Sequence, residues 1–79
     1  MHNHDDLDAR IISIIHGVIN QSIQKDDSMS TKDNWDSMAQ LTILTLIEQE
    51  YNVEFDIEEL ENVDSVIGWS EALRKKIAI

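Results

Sequence analysis

The sequence predicts an all-α fold, a bundle of three main helices and one short helix with a long first loop. Three segments carry apolar residues at spacings of three and four, the period of a helix with one buried face. The 79 residues contain no proline, and no alternating apolar and polar run indicates a strand. A chain of this length forms one small domain, which we expect to span residues 1–79 with residues 1–4 frayed.

The first helix is predicted from about Asp5 to Ser22. Acidic residues at its start suit the positive end of the helix dipole. Gly17 lowers helix stability by roughly 1 kcal/mol, and the sequence does not show whether it permits close packing. His16 is assigned to the surface or its boundary rather than to a ligand site. The predicted buried face consists of Leu7, Ile11, Ile14, Ile15, Val18 and Ser22, widened by Ile12 and Ile19.

A long polar connection follows, from about Lys25 to Asn34. Its length is unusual in a compact domain and indicates a functional loop. It does not match a calcium-binding loop, which needs a central glycine and a glutamate at its twelfth position. Met29 and Trp35 are its apolar anchors, and we expect both to pin the loop to the core.

The segment that ends at Tyr51 is the most strongly helical part of the chain and predicts a central second helix. Asp36 and Ser37 lie where the loop becomes the helix N-terminus, a place with unpaired backbone N–H groups and a positive dipole. Burial on more than one side is predicted from the apolar stripe Met38, Leu41, Leu44, Ile47 and Tyr51, broadened by Ile43 and Leu46.

Ser37 allows two interpretations. In the first, Ser37 and Gln40 form a capping box, in which the hydroxyl and the amide side chain satisfy backbone donors reciprocally. In the second, Asp36 caps the helix and leaves the Ser37 hydroxyl facing solvent as an attachment point. A phosphodiester there would be favoured, because a helix N-terminus attracts anions. The two residues alone do not decide between these interpretations.

The last third of the chain predicts one short and one final helix. Val53 and Phe55 face one way in a short linker, and residues 57–60 are long enough for a single helical turn that Val63 closes. Asp64 and Ser65 signal the start of the final helix. Its apolar face holds Val66, Trp69, Leu73 and Ile77, and its last turns carry Arg74, Lys75 and Lys76, where cations complement the dipole.

Charge is the strongest compositional feature. Sixteen acidic and six basic residues give a net charge of −10. Such a field repels nucleic acid and anionic membranes and attracts basic protein surfaces, although for any single carboxylate solubility is an equally good explanation. No basic residue lies between Lys32 and Arg74, and half of that span is crowded by Glu48, Glu50, Glu54, Asp56, Glu58, Glu59, Glu61 and Asp64.

Several classes of protein are disfavoured by what the sequence lacks. Without cysteine, neither a disulfide framework nor a thiolate metal site is possible. His2 and His4, two positions apart in a terminal tail, are a weak metal signal. We expect a cytoplasmic, monomeric protein without membrane insertion, because neither a signal peptide nor a spanning segment is evident. An enzyme is disfavoured, because no histidine lies in a catalytic constellation and the chain offers little room for a cleft.

The chain resembles acyl carrier proteins and the related peptidyl carrier domains. Their Asp-Ser-Leu motif carries 4′-phosphopantetheine on its serine. The resemblance covers nearly the whole chain in length, helix order and loop placement, and it implies a four-helix carrier-protein bundle. With a tryptophan before Asp-Ser, the chain is more similar to stand-alone carrier proteins of specialised biosynthetic clusters than to the fatty-acid carrier. The matching residues are Asp36, Ser37, Met38, Leu41, Ile43, Leu44, Ile47, Glu48, Tyr51, Phe55, Leu60, Val63 and Val66.

The resemblance implies a carrier rather than an enzyme. Ser37 is the attachment site, Asp36 its preceding partner and Met38 the hydrophobic residue that anchors the motif. A phosphopantetheinyl transferase would supply the arm from coenzyme A, a ligase would load an acyl or aminoacyl group as a thioester, and a synthase or transferase would consume it. The thiol arrives on the arm, which agrees with the absence of cysteine, and the tether contributes effective concentration.

The resemblance also implies partner contacts. Glu48, Glu61 and Leu41 match positions expected to meet partner enzymes with basic docking surfaces. The chain departs from the family at Ala39 and Thr42, where acidic residues are frequent, so recognition by ordinary fatty-acid synthase enzymes is not implied. The alternative function is an acidic helical protein–protein interaction module without a prosthetic group, in which the serine merely caps the helix.

One further hypothesis concerns the cargo, whose identity, loading enzyme and pathway the sequence does not specify. Phe55 and Trp69 fall where the bundle interior is expected to be lined. If they fill the space that long acyl chains occupy in fatty-acid carriers, the cargo is short or polar, or stays outside the bundle. The alternative is that both aromatic residues are simply core.

Overall fold

The computed structural model describes residues 4–77, and the side chains of residues 7–77. Its elements in chain order are α1 (His4–Ile19), α2 (Ser37–Tyr51), a 3-10 helix (Ile57–Leu60) and α3 (Val66–Ile77). The predicted all-α class is confirmed, and the assignment to a carrier-protein bundle stays a prediction. The expectations for residues 1–3, including His2, and for the side chain of His4 lie outside what is described.

The core is built where α1 packs against both α2 and α3. Trp35, 1% exposed, and Trp69, 0% exposed, are its two largest fully buried side chains. None of the described helices combines the length and apolar character needed to cross a bilayer. The buried apolar residues are Leu7, Ile11, Ile15, Ile19, Ile23, Trp35, Ile43, Ile47, Val66, Trp69 and Leu73.

Helix α1 ends earlier than predicted. It stops at Ile19, because Asn20 adopts a left-handed backbone conformation with φ of 58°. Asparagine tolerates that conformation and commonly ends helices in this way. Ser22 is exposed and lies outside the helix, so its predicted place on the buried face is wrong, and Ile23 enters the core in its stead.

Gly17 lies on the exposed side of α1, and a Cβ atom there would meet nothing within 4 Å. Replacing Gly17 with alanine is expected to raise the free energy of unfolding by about 1 kcal/mol, because alanine favours the helix and restricts the unfolded chain. Urea denaturation followed by tryptophan fluorescence measures this change. A less stable variant would show that the space around Gly17 is needed.

The long connection between α1 and α2 is tied down in its middle. The N–H group of Met29 donates to the Asp64 carbonyl at 2.9 Å, and the N–H group of Val66 donates to the Asp27 carbonyl at 3.1 Å. These bonds attach the loop to the start of α3. Trp35 is buried and Met29 packs partly buried against the core, so both predicted anchors are confirmed.

Helix α3 begins as predicted. The Ser65 hydroxyl accepts a hydrogen bond from the Gly68 N–H group at 2.9 Å, which satisfies a donor that the helix start leaves unpaired. Ile77 shares this face by its spacing, but it is the last residue of the helix and is 46% exposed. The buried part of the face consists of Val66, Trp69 and Leu73.

Most basic side chains are neutralised within the described part of the chain. Five ion pairs join Arg10 to Glu50, Lys25 to Asp8, Lys32 to Asp27, Arg74 to Asp8 and Lys76 to Glu59. Pairs of this exposed kind contribute little stability each. Their main consequence is that the remaining carboxylates face solvent largely without opposing charge.

Two of the paired carboxylates have a lowered pKa. The backbone N–H group of Gln24 donates to Asp27 at 2.8 Å, and the Thr31 hydroxyl adds a bond at 2.9 Å, which together lower the pKa of Asp27. The ammonium group of Lys76 donates to both oxygens of Glu59 at 2.8 Å and lowers the pKa of Glu59. Each carboxylate is therefore stabilised in its charged form.

A lowered pKa in the folded state makes stability depend on pH. The contribution of Glu59 is fully present above its unfolded-state pKa and is lost as pH falls through its folded-state pKa. The destabilisation by Glu59→Gln is therefore expected to be larger at pH 7 than in acid below the ordinary carboxyl range. Urea midpoints of both proteins at several pH values test this, with Glu58→Gln as the control. An equal difference at all pH values would contradict it.

Candidate functional site

Helix α2 is capped by Asp36. The backbone of Asp36 is extended, with φ of −104° and ψ of −170°, and its Oδ1 accepts a hydrogen bond from the Ala39 N–H group at 2.9 Å. Its carbonyl accepts from the Gln40 N–H group at 2.9 Å. Because Asp36 is the cap, the capping-box interpretation of Ser37 is wrong. The part of the second interpretation that gives the cap to Asp36 and exposes Ser37 is confirmed, and the role of Ser37 as an attachment point stays a prediction.

Ser37 is the first residue of α2, and its side chain is exposed. Within residues 4–77, its hydroxyl makes no hydrogen bond, and the backbone N–H groups of Ser37 and Met38 have no partner. No acidic residue lies in the first turn of the helix. An anionic group attached to the hydroxyl would therefore lie beside free donors at the positive end of the dipole.

Among the described side chains, residues 7–77, no histidine or carboxylate is hydrogen-bonded to the Ser37 hydroxyl. His16 is the one histidine with a described side chain, and its Nδ1 donates to the Gln21 carbonyl at 2.8 Å. Over the described residues, no group of three or more His, Asp or Glu residues is arranged to hold a metal ion. A serine hydroxyl without an adjacent base is a weak nucleophile.

Gln40 holds the start of α2 on the core. Its Oε1 accepts hydrogen bonds from the indole N–H groups of Trp35 at 2.8 Å and Trp69 at 3.3 Å. Its Nε2 donates to the Val63 carbonyl at 2.6 Å. One amide therefore connects the loop before Ser37, helix α3 and the segment leading into α3.

The sequence pattern indicated a different role for Gln40, as the partner of Ser37 in a capping box, because Gln40 lies three residues after Ser37. Two signals could have found its actual role. Gln40 lies three residues before Ile43 and seven before Ile47, which places it on their buried face. The two tryptophans of the core, Trp35 and Trp69, also each require an acceptor for the indole N–H group when buried.

The buried face of α2 differs from the apolar face predicted from the sequence. Met38 is 72% exposed and Leu41 is 59% exposed, whereas Ile43 and Ile47 are fully buried. Gln40 lies on the same side of α2 as Ile43 and Ile47, where its amide oxygen accepts hydrogen bonds from the two core indoles. Met38 therefore does not anchor the motif by burial, whereas Leu41 is accessible, as its predicted partner role requires.

Glu48 and Glu61, the two acidic residues predicted to meet partner enzymes, differ in burial and in hydrogen bonding. Glu48 is half-buried, and its Oε2 accepts a hydrogen bond from the Phe55 N–H group at 2.9 Å, so it holds the linker after α2. Glu61 is exposed and makes no hydrogen bond or ion pair within the described residues. A partner would thus meet Glu61 as a free carboxylate, whereas Glu48 already has an internal role.

An aromatic pair fills the space between the linker and α3. The rings of Phe55 and Trp69 lie 5.9 Å apart at 78°, an edge-to-face arrangement. The Lys76 ammonium lies 5.4 Å from the centre of the Phe55 ring. Trp69 is fully buried and Phe55 is half-buried, as expected for residues that line the interior.

The candidate site is therefore one exposed hydroxyl at a positively polarised helix end, on a turn held by Asp36 and Gln40. Over the described residues, no histidine is bonded to this hydroxyl and no group of His, Asp or Glu residues is arranged to hold a metal ion. A comparison of the chain with models of known protein families, with curated proteins and with solved structures found no match.

Proposed function

We propose that this chain is a carrier protein that tethers acyl or aminoacyl intermediates as thioesters on a 4′-phosphopantetheine arm attached to Ser37. The observation that supports the proposal is the arrangement at the start of α2. Asp36 caps the helix there, so the Ser37 hydroxyl is exposed and makes no hydrogen bond within the described residues. The resemblance to acyl and peptidyl carrier proteins supplies the identity of the group.

The residues present fit the proposed group. The exposed hydroxyl provides the attachment oxygen, and the free N–H groups of Ser37 and Met38 suit the phosphodiester that joins arm and chain. No acidic residue lies in the first turn of α2, and the Asp36 carboxylate beside the site accepts a hydrogen bond from the Ala39 N–H group. When bound, the arm supplies the thiol that the cysteine-free chain lacks.

The partners in this proposal are enzymes. A phosphopantetheinyl transferase uses coenzyme A and Mg²⁺ to form the bond from the Ser37 oxygen to phosphorus, with adenosine 3′,5′-bisphosphate as the leaving group. A loading ligase and a downstream synthase or transferase follow. The net charge of −10 raises encounter rates with basic enzymes and keeps copies of the chain apart, in agreement with a monomer. We place the carrier in the cytoplasm, where coenzyme A is available.

Loading with coenzyme A tests the proposal. Incubation with Mg²⁺ and a broad-specificity phosphopantetheinyl transferase is expected to raise the intact mass by one phosphopantetheine group, because the Ser37 hydroxyl is accessible. Ser37→Ala is expected to abolish the gain, and Ser13→Ala, which changes another exposed helical serine, is expected to retain it. A wild-type chain of unchanged mass, or loading of Ser37→Ala, would refute the proposal.

The alternative of an interaction module without a prosthetic group loses part of its support. It gave Ser37 a purely structural role as helix cap, and Asp36 fills that role instead. The loading experiment separates the two functions, because a module without a prosthetic group gains no mass.

We also propose that the cargo is short or polar, or remains outside the bundle. Trp69 is buried edge-on against Phe55, so the interior between the linker and α3 is occupied by side chains. A long acyl chain would have to displace this aromatic pair, which contributes beyond its buried area.

A further inference from the structure

The thioether of Met38 is exposed directly after Ser37. Its side chain is 72% exposed in the first turn of α2. Helical side chains lean toward the helix N-terminus, so the Met38 side chain extends toward the end of α2 that holds the Ser37 hydroxyl. Met29, the other methionine whose side chain is described, packs partly buried against the core. Of these two methionines, Met38 is the one that a dissolved oxidant reaches readily.

Methionine supplies all the sulfur of this chain, because the sequence contains no cysteine. A peroxide converts the thioether of an accessible methionine into a sulfoxide. The sulfur lone pair takes one oxygen atom from hydrogen peroxide, the O–O bond breaks and an S–O bond forms. The other peroxide oxygen leaves as water, after it receives the proton of the transferred oxygen. Sulfur loses two electrons in this step, and the peroxide gains them.

The fold does not depend on the thioether of Met38. The buried residues of α2 are Ile43 and Ile47, and the start of the helix is held by Asp36 and Gln40. Oxidation of Met38 therefore changes the surface beside Ser37 and leaves the core as it is. The change is chemically large, because an apolar group becomes a polar one with a strong hydrogen-bond acceptor.

We propose that Met38 is a reversible oxidation site whose sulfoxide slows attachment of the arm to Ser37. The oxidant is a peroxide. A methionine sulfoxide reductase restores the thioether, with two thiols as the electron source and with water and a disulfide as products. The regulation rests on the proposed carrier function, whereas the oxidation itself does not.

The sulfoxide acts on Ser37 in two ways. An enzyme that transfers a group to the Ser37 hydroxyl has to cover the exposed side chain of the next residue. Covering a thioether is favourable, whereas covering a sulfoxide oxygen without a donor costs desolvation. The new acceptor also forms close to the free N–H groups of Ser37 and Met38, where it competes with the phosphodiester for donors.

Peptide mapping by mass spectrometry tests the oxidation site. In dilute hydrogen peroxide, Met38 is expected to gain one oxygen atom at least about fivefold faster than Met29, because Met29 is packed against the core. Met38→Leu removes the sulfur at nearly constant volume and is expected to abolish oxidation of this helix. Oxidation of Met29 as fast as that of Met38 would overturn the inference.

Arm attachment tests the regulation. Catalase removes the peroxide before coenzyme A, Mg²⁺ and a broad-specificity phosphopantetheinyl transferase are added. Oxidation of Met38 is expected to lower kcat/KM about tenfold, and reduction by methionine sulfoxide reductases A and B is expected to restore it. Met38→Gln carries a polar acceptor without peroxide and is expected to be loaded as slowly as the oxidised chain.

Two variants control for effects elsewhere in the chain. Met38→Leu is expected to be loaded like the reduced wild-type chain before and after peroxide treatment, whereas Met29→Leu is expected to retain the full loss. An equal loss in peroxide-treated Met38→Leu, or loading of the oxidised wild-type chain at the reduced rate, would overturn the inference. Loss of helical circular dichroism on oxidation of Met38 would also overturn it, because the effect would then be unfolding.

Failure of the carrier function gives a different result. A reduced wild-type chain that is never loaded would refute the carrier function and with it the regulation, while the mapped oxidation of Met38 would stand. A reduced chain that is loaded, with no change on oxidation of Met38, would refute only the regulation. The two failures are therefore distinguishable.

Discussion

Replacing Gln40 with leucine is expected to lower the free energy of unfolding by about 3 kcal/mol. Leucine fills a similar volume but leaves three groups without a partner: the indole N–H groups of Trp35 and Trp69 and the Val63 carbonyl. Each buried polar group that loses its partner costs about 1–3 kcal/mol. A domain of this length has a total stability of roughly 4–12 kcal/mol, so the loss is large. Urea denaturation at neutral pH measures it.

A double-mutant cycle shows whether the hydrogen bonds cause this loss. Trp35→Phe removes one indole donor, so the loss from Gln40→Leu is expected to be at least about 1 kcal/mol smaller in that background. Gln49→Leu, on the exposed side of the same helix, is expected to change stability by less than about 0.5 kcal/mol. Additive effects of the two core substitutions would contradict a structural role for this network.

The helix starts could be predicted from sequence because they depend on local chemistry. Ser65 and the residues around Asp36 are of the types that satisfy unpaired N–H groups, and the structure uses both positions. The end of α1 could not be predicted, because it depends on the left-handed backbone of Asn20, which sequence patterns permit but do not require. Ser22 was consequently assigned to the helix.

The buried face of α2 could not be predicted from periodicity alone. Met38 and Leu41 are more apolar than Gln40, so a pattern that ranks residues by hydrophobicity places them inside. The tertiary structure reverses the assignment, because the indoles of Trp35 and Trp69 need an acceptor that only a polar side chain supplies. Met38 and Leu41 are left exposed close to Ser37.

For the candidate site, the sequence predicted the start of α2 but left two alternatives for the residue that caps it. Aspartate and serine cap helices about equally well, so the sequence alone cannot assign the cap to Asp36 or Ser37. The hydrogen bond that Glu48 accepts from the Phe55 N–H group also could not be predicted from the sequence. This bond requires the chain to turn back after α2, which it does at Asn52 with φ of 55°.

The largest loss of stability is expected from Trp69→Ala, about 4 kcal/mol. The side chain is 0% exposed, packs edge-on against Phe55 and donates to Gln40, so its removal leaves a large cavity in a small core. Thermal unfolding by circular dichroism measures the loss. Trp69→Phe retains an aromatic ring at this position and is expected to lose less than half as much.

A Trp69→Ala variant as stable as the wild-type chain would show that the indole does not fill the core. The expected instability also decides how the cargo hypothesis is tested, because a partly unfolded carrier exposes any acyl chain. Phe55→Ala is the better variant for that purpose, since Phe55 is half-buried and its removal opens the same aromatic pair. If Phe55 excludes long chains, loading with a long acyl group is expected to stabilise Phe55→Ala against heat more than it stabilises the wild-type chain.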